Sequence, residues 1–433
     1  AGTYNENVVV NKSLSLQGED RETTIIQSQL EGRMYGSYGD RVVIIEAKDV
    51  SVSGFTLSGY TSTEAKCGTT CWPLYADGYN NLEATNNIFT FYTQGGIRFL
   101  DGDNILIKDN IFQRETRSIW YDPPGVEPGS YVDRTYGGMG PELWGCTNAT
   151  IDPNVIETYA VGMFIMGCDG VSIEDNIVSA PDTMVPSDSG IHIQSASNIT
   201  ISGNTVSNFT AGEKKYYNNG TTGAGIRIIS SNENVTVEGN RLSNNTVGVL
   251  VTGASGSPEI HRNNIEDNKV FGVLNCASWV GKGRTYTPAS VTIDATCNWW
   301  GNPNGPGAAA FDSYPKGDAV SDNVLFDPWL KAPYPLFAMA SFTIDHAKID
   351  FKKKVDDDKV SVKGKLELDL DCGNGVDISE PVAVTVGPLS EIITMVEKGK
   401  EGEKWEYKCP KDNGGNIKHM TIDWKNGKFD IRM

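Results

Sequence analysis

Long apolar runs are missing from this chain, and with no stretch of about eighteen such residues the sequence offers no candidate transmembrane helix. Basic residues are also scarce: Lys and Arg total 37 against 55 Asp and Glu, for a net charge of −18. Binding a phosphate backbone needs clustered cations, so a nucleic-acid surface is excluded. Histidines number four, and the eight cysteines form neither a CxxCH haem site nor a paired CxxC zinc pattern. Helical periodicity is absent too, since no amphipathic run of that period persists and β-branched residues dominate the apolar positions.

A chain of 433 residues with 47 glycines exceeds one ordinary core and points to an elongated repeat domain with an appendage. The acidity is uneven. Residues 338–433 carry 16 basic and 18 acidic side chains, so −16 of the −18 lies upstream. Cysteine spacing proposes four disulfides: Cys67 with Cys71, Cys146 with Cys168, Cys276 with Cys297, and Cys372 with Cys409. Seven Asn-x-Ser/Thr sequons occur, at Asn11, Asn148, Asn198, Asn208, Asn219, Asn234 and Asn244. An Asn- and Thr-rich chain also produces sequons by chance. Paired cysteines and sequons together favour an extracellular, cell-surface or periplasmic home.

Self-similarity is the strongest signal. "GGIRFLDGDNILIKDNIF" from Gly95, "VGMFIMGCDGVSIEDNIV" from Val161, "SGIHIQSASNITISGNTV" from Ser189, "AGIRIISSNENVTVEGNRL" from Ala224 and "VGVLVTGASGSPEIHRNNI" from Val247 share one plan. Each reads glycine, an alternating apolar run, a turn, a second alternating run, asparagine and a third apolar pair. Three period-2 segments per unit predict one coil of a right-handed parallel β-helix, with insertions over 113–160 and 208–224. Ile97, Met163, Ile191, Ile226, Val249 and Val273 should stack inward on one face, and Ile105, Val171, Ile199 and Val235 on another. Asn87, Asn110, Asn176, Asn204, Asn240 and Asn264 recur at one corner, where a structural ladder is expected.

These units, with the opening "AGTYNENVVVNKSLSLQGED", "CNWWGNPNGP" and "FDPWL" at Phe326–Leu330, resemble the parallel β-helix repeat proteins of archaeal and bacterial surfaces and periplasm. That superfamily also holds pectate-lyase-like enzymes. The resemblance covers about residues 1–330 and implies the fold. It leaves function open among lyases, hydrolases, epimerases, adhesins and structural proteins. Asn298-Trp299-Trp300-Gly301 falls in the asparagine register of the last coil, so the indoles read as a cap ahead of a sugar platform.

Beyond a Pro-containing linker at 331–340 the texture changes to alternating strands over 341–433, read as a β-sandwich stapled by Cys372 and Cys409. Trp405 and Trp424 have the spacing of its core aromatics. Asp369, Asp371, Asn374 and Asp377 are loosely spaced like a calcium loop. The glycine and glutamate that complete an EF-hand are absent, and a solvated hairpin is the simpler reading. No other cofactor is implied. Both chain ends look cut from strands, so further modules are expected on either side.

Chemistry on a β-helix sits on outward side chains between long loops. The second position after each coil's glycine gives Arg98, Phe164, His192 and Arg227. The insertion from Arg114 to Cys146 adds Trp120, Tyr121, Asp122, Tyr131, Asp133, Tyr136 and Trp144, where aromatic rings and Arg suit sugar faces and uronate carboxylates. One reading is a polysaccharide lyase or hydrolase on acidic glycans, with His192 as base, Arg98 or Arg227 neutralising a uronate, and Asp122 or Asp133 as acid. Against it, no close pair of outward carboxylates recurs on adjacent coils, and a lone His on a polar exterior reads first as a surface residue. The sequence therefore favours a non-catalytic structural or adhesive surface protein. Its partners would be glycans or neighbouring subunits, including homopolymeric assembly. Carbohydrate binding without turnover is the third reading.

Overall fold

The computed structural model describes residues 1–28, 41–59, 72–90, 92, 95–113, 138–158, 160–181, 186–212, 221–253, 256–281, 284–307, 317–334, 339–350, 359–368, 382–386, 389–393, 396–397, 404–408, 419–423 and 428–432. They divide into two units, Ala1–Trp329 and Leu330–Met433, and no helix occurs among them.

In the first unit every third strand joins the same sheet, so the chain winds as a parallel β-helix with three walls. The first wall has 10 strands, from Gly2–Asn5 to Asn264–Glu266. The second has 11, beginning at Val8–Val10, and the third has 11, beginning at Leu14–Gln17. Pairing within the walls is parallel until the second wall closes with an antiparallel hairpin, Phe271–Val280 against Thr285–Pro288. Strand alternation sends every other side chain inward. Met163, Ile191, Ile226, Val249 and Val273 form one continuous buried rung series, and Ile105, Ala149, Val171, Ile199 and Val235 another. Each such Val, Ile or Met side chain contributes about 1.5–3 kcal/mol by leaving water.

The insertion expected over 113–160 is shorter than the sequence implied. Met139–Trp144, Thr147–Ile151 and Val155–Glu157 build a full coil. Its pattern was hidden because Pro141 takes the inward place between Ile97 and Met163.

Buried asparagines form the expected ladder, reaching Asn298 as expected, with one addition, Asn154, and one substitution. Asn87, Asn110, Asn154, Asn176, Asn204, Asn240, Asn263 and Asn298 each pass a side-chain hydrogen bond to the next. The member at "HRNNI" is Asn263, not Asn264, which lies in the adjoining strand. The backbone N–H groups of Asn87, Asn110, Asn176, Asn204, Asn240 and Asn263 each donate to the following Oδ1, so the bend that breaks the sheet keeps these donors satisfied.

A glycine column turns the chain from the first wall into the second. A Cβ on Gly190 would stand 2.2 Å from Val206 Cγ1 and 2.7 Å from the Gly225 carbonyl oxygen, so close approach excludes any side chain there. At the far end Trp300 is fully buried among the core residues. Trp299 pairs with Asn264 as a further rung of the first wall. Trp300 thus closes the core, while Trp299 lies on the outer side of the first wall with its Nε1 donating to Glu266 at 3.4 Å.

The four described cysteines are free, against the pairings expected from spacing. Cys146 and Cys168 do sit side by side on adjacent coils, as buried thiols that contact each other and face the Phe99 and Leu143 carbonyls. Cys276 and Cys297 are one coil length apart in sequence, yet the hairpin consumes that length. Cys276 lies on the second wall, and Cys297 falls beyond Ile293–Asp294 of the third. Cys67, Cys71, Cys372 and Cys409 lie outside the described residues.

The second unit holds a six-stranded antiparallel sheet, Met339–Asp350, Lys359–Leu368, Lys428–Arg432, His419–Asp423, Lys404–Lys408 and Val396–Glu397 in spatial order. A two-stranded ladder, Val382–Val386 with Leu389–Ile393, accompanies it. Met420, Phe429 and Ile431 are its described buried residues. Asp369, Asp371, Asn374, Asp377 and Trp424 lie outside the described residues.

Candidate functional site on the second wall

Because adjacent coils are in register, alternation along each strand becomes a row across the wall. The outward row of the second wall runs Val9, Ile44, Tyr75, Arg98, Glu142, Phe164, His192, Arg227, Leu250, Leu274. Arg98, Phe164, His192 and Arg227 therefore share one row, with Glu142 as the member that sequence reading missed. The equivalent row of the third wall, Thr150, Ser172, Thr200 and Thr236, is short and polar. Charge and aromatic surface gather on the second wall.

At one end of the row Arg41 stacks over Tyr75, 3.3 Å from the ring centre. Arg98 lies between two indoles, 4.5 Å from the Trp72 ring and 4.8 Å from the Trp144 ring. Glu142 accepts a 2.9 Å hydrogen bond from Trp72 Nε1 and stands 3.8 Å from Arg98 Nε. Burial raises the Glu142 carboxyl above the usual range, opposed by Arg98 and by the Trp72 and Trp144 indoles. Trp144 then meets Phe164 at 6.0 Å, and Phe164 meets the His192 ring edge-on at 4.8 Å.

The next rungs hold a second charged group. Asp188, in the turn before Ser189–Gln194, accepts a 2.9 Å bond from Arg227 Nη1 and lies 3.9 Å from His192 Nδ1. Thr222 secures it, its hydroxyl donating to the Asp188 carbonyl at 2.6 Å and its N–H to Oδ1 at 3.2 Å. Burial would raise the Asp188 carboxyl, but Arg227, His192 and Thr222 outweigh it and hold the group ionised. His192, 5% exposed, is pushed down to about 3 by burial and by Arg227, against the pull of Asp188. It is a buried neutral imidazole, not the surface residue expected.

Beyond Arg227 the row turns apolar. Leu250 and Leu274 are buried in a cluster with Phe271 and Trp279, and the Trp279 indole donates to the Thr222 carbonyl at 3.2 Å. The closing hairpin thus seals that end, leaving the polar stretch from Arg98 to Arg227.

This geometry does not suit paired-carboxylate chemistry. Glu142 faces back toward Arg98 and Trp72, Asp188 faces forward to Arg227, and the Phe164 and His192 rungs stand between them. Among the described residues no group of three His, Cys, Asp or Glu side chains is placed to hold a metal. Trp120, Tyr121, Asp122, Tyr131, Asp133 and Tyr136 lie outside the described residues. Glu142 was masked by its irregular coil. Asp188 and Thr222 sit in turns, where no periodic signal marks them.

The five described sequon asparagines of the repeat share a conformation. Asn148, Asn198, Asn208, Asn234 and Asn244 all hold φ between 49° and 70°. Asparagine tolerates this left-handed bend better than other non-glycine residues. At Asn148, Asn198 and Asn234 the residue two on is Thr150, Thr200 or Thr236, an outward strand position where threonine is favoured. Their side-chain amides donate to Asp103, Asp169 and Asn198 of the neighbouring coil. Coil geometry alone therefore accounts for these three sequons. Asn219 lies outside the described residues.

Residues 138–284 match the family model described as a right-handed β-helix region, a span that includes Glu142, Phe164, Asp188, His192 and Arg227. No curated protein matches the chain.

Proposed function

We propose that this right-handed parallel β-helix repeat protein is a non-catalytic extracellular or cell-surface scaffold. The stacked coils provide a stiff support, the outward row of the second wall recognises glycan, and the C-terminal unit serves docking or assembly. The observation that carries this reading is the way the two carboxylates of the row are engaged. Glu142 is bound by Trp72 beside Arg98, and Asp188 by Arg227 and Thr222. An acid and a base acting on one bond must converge on it. Here they diverge, and His192, with a pKa near 3, is a weak base in a dry setting. Aromatic rings interleaved with anchored polar groups on a rigid wall suit recognition instead.

Support for the surface location is compositional: the acidic exterior and repeat architecture suit a hydrated layer at a cell boundary. The test is a turnover screen on neutral and uronate-containing polysaccharides, with and without calcium, reading unsaturated products and reducing ends, run beside a binding assay on the same substrates. Binding without turnover is expected. Turnover that is lost on Arg98→Ala, His192→Ala or Arg227→Ala, with the variants folded, would overturn the proposal in favour of a lyase or hydrolase.

A further inference from the structure

We infer that the outward row of the second wall takes an uncharged, polyhydroxylated ligand, a run of neutral sugar rings, rather than an acidic glycan. The inference rests on the recognition role proposed for that wall and narrows its ligand class.

Charge balance comes first. The two cations of the polar stretch are matched by carboxylates, Arg98 by Glu142 and Arg227 by Asp188. Neither guanidinium is left to neutralise a uronate or a sulfate. Across the whole chain the net charge is −18, which repels a polyanion before it arrives. His192 adds no positive charge near neutrality.

The second observation concerns hydrogen-bonding capacity. Four side chains of this one stretch carry buried polar atoms that complete no hydrogen bond among the described residues: Arg98 Nε, 3.8 Å from Glu142, Trp144 Nε1, also near Glu142, Arg227 Nε, and both nitrogens of His192, of which Nδ1 stands 3.9 Å from Asp188 and Nε2 faces no described carboxylate. Buried polar atoms are nearly always satisfied, so a cluster of exceptions on one row marks where an external group belongs. The arginine and tryptophan nitrogens only donate. A neutral imidazole offers one donor and one acceptor, whichever tautomer it holds. A carboxylate or sulfate would satisfy the donors and leave the imidazole acceptor facing another acceptor. Hydroxyl groups satisfy both kinds.

Shape agrees. Trp144 and Phe164 are only partly buried and lie between the charged pairs, offering apolar surface to the C–H face of a ring. From the Arg98 strand to the Arg227 strand is four inter-strand steps, about 19 Å at the usual spacing, which accommodates several rings in line.

The test is titration calorimetry of the full chain with neutral gluco-, manno-, galacto-, xylo- and N-acetylglucosamine oligosaccharides. Oligogalacturonate and chondroitin sulfate oligosaccharides form the charged arm. Trp144→Phe and His192→Phe keep an aromatic ring but remove these nitrogens, and thermal unfolding of each checks the fold. The expected result is binding of at least one neutral series, insensitive to salt, weakened about fivefold by each variant, the value of one hydrogen bond. Binding confined to the charged arm would overturn the ligand class while leaving glycan recognition standing. Binding in neither arm would overturn both. Neutral binding unchanged in both folded variants would place the ligand off this row and overturn the inference.

Discussion

Replacing Asp318 with asparagine should stabilise the protein, and by an amount that grows with pH. A second, shorter asparagine ladder runs Asn245 to Asn268, and at its next step stands Asp318. Asn268 donates both its N–H and its Nδ2 to Asp318 Oδ2, at 3.0 and 2.7 Å, as Asn245 donates to Asn268. In each earlier member Nδ2 also donates backward to a carbonyl, Val206 from Asn245 and Leu242 from Asn268. An ionised carboxylate has no proton to give at that place. Burial, with Asp267 and Glu266 nearby, pushes Asp318 up to about 7 against the pull of the Asn268 bonds. The acid is therefore protonated when folded and ionised when unfolded between about pH 4 and pH 7. Folding stability must fall as pH rises through that window and level off above it. A shift of about three units corresponds to about 4 kcal/mol. Asp318 keeps some solvent contact, which makes that figure a ceiling and about 2 kcal/mol the expectation. Urea unfolding of both proteins from pH 4 to pH 8 measures it. The two should coincide near pH 4, and Asp318→Asn should gain about 2 kcal/mol by pH 8. A constant difference across that range, or a variant less stable at pH 8, would refute the reasoning.

Other expectations follow from the same contacts. Arg227→Met leaves the Asp188 carboxylate buried without its cation and should cost about 3–5 kcal/mol near neutrality by thermal or urea unfolding. The deficit should shrink in acid. Asp188, held below its ordinary value, loses its ion-pair stabilisation as pH falls through its folded pKa, and removing Arg227 eases the protonation of His192. In the wild type His192 itself makes stability fall as pH drops from about 6.5 toward 3, since the folded ring resists the proton that the unfolded chain accepts. Asn204→Ala removes the acceptor for two Asn176 donors and should cost about 3 kcal/mol, with faster hydrogen exchange at the Asn176 amide. Asn198→Ala places an alanine at φ 53° and should cost about 1–2 kcal/mol in protein made without any glycosylation, separating the conformational role of that sequon from a modification.

The coil was legible because its signal repeats. One alternating run occurs by chance in any chain, but five aligned units place glycine, inward aliphatics and asparagine in the same order, and only stacked coils need all three at once. The slip from Asn263 to Asn264 shows the limit: with two asparagines side by side, only the hydrogen bonds decide which one faces inward. The expectation of a Cys276–Cys297 bridge failed for a related reason. Spacing by one coil length implies stacking only if the coil between is regular, and the hairpin after Phe271 breaks it.

Sequence by itself determined the solenoid, the wall that carries Arg98, Phe164, His192 and Arg227, and the capping place of Trp300, because each depends on local alternation and period. Tertiary structure alone decided the character of the row. Glu142 reaches it through a coil with no regular pattern, Asp188 and Thr222 come from turns on different coils, and His192 is buried rather than exposed. Neighbours across a wall are 22 to 44 residues apart in the chain, so whether an arginine is free to meet a ligand or already matched by a carboxylate is a property of the stack, not of any segment within it.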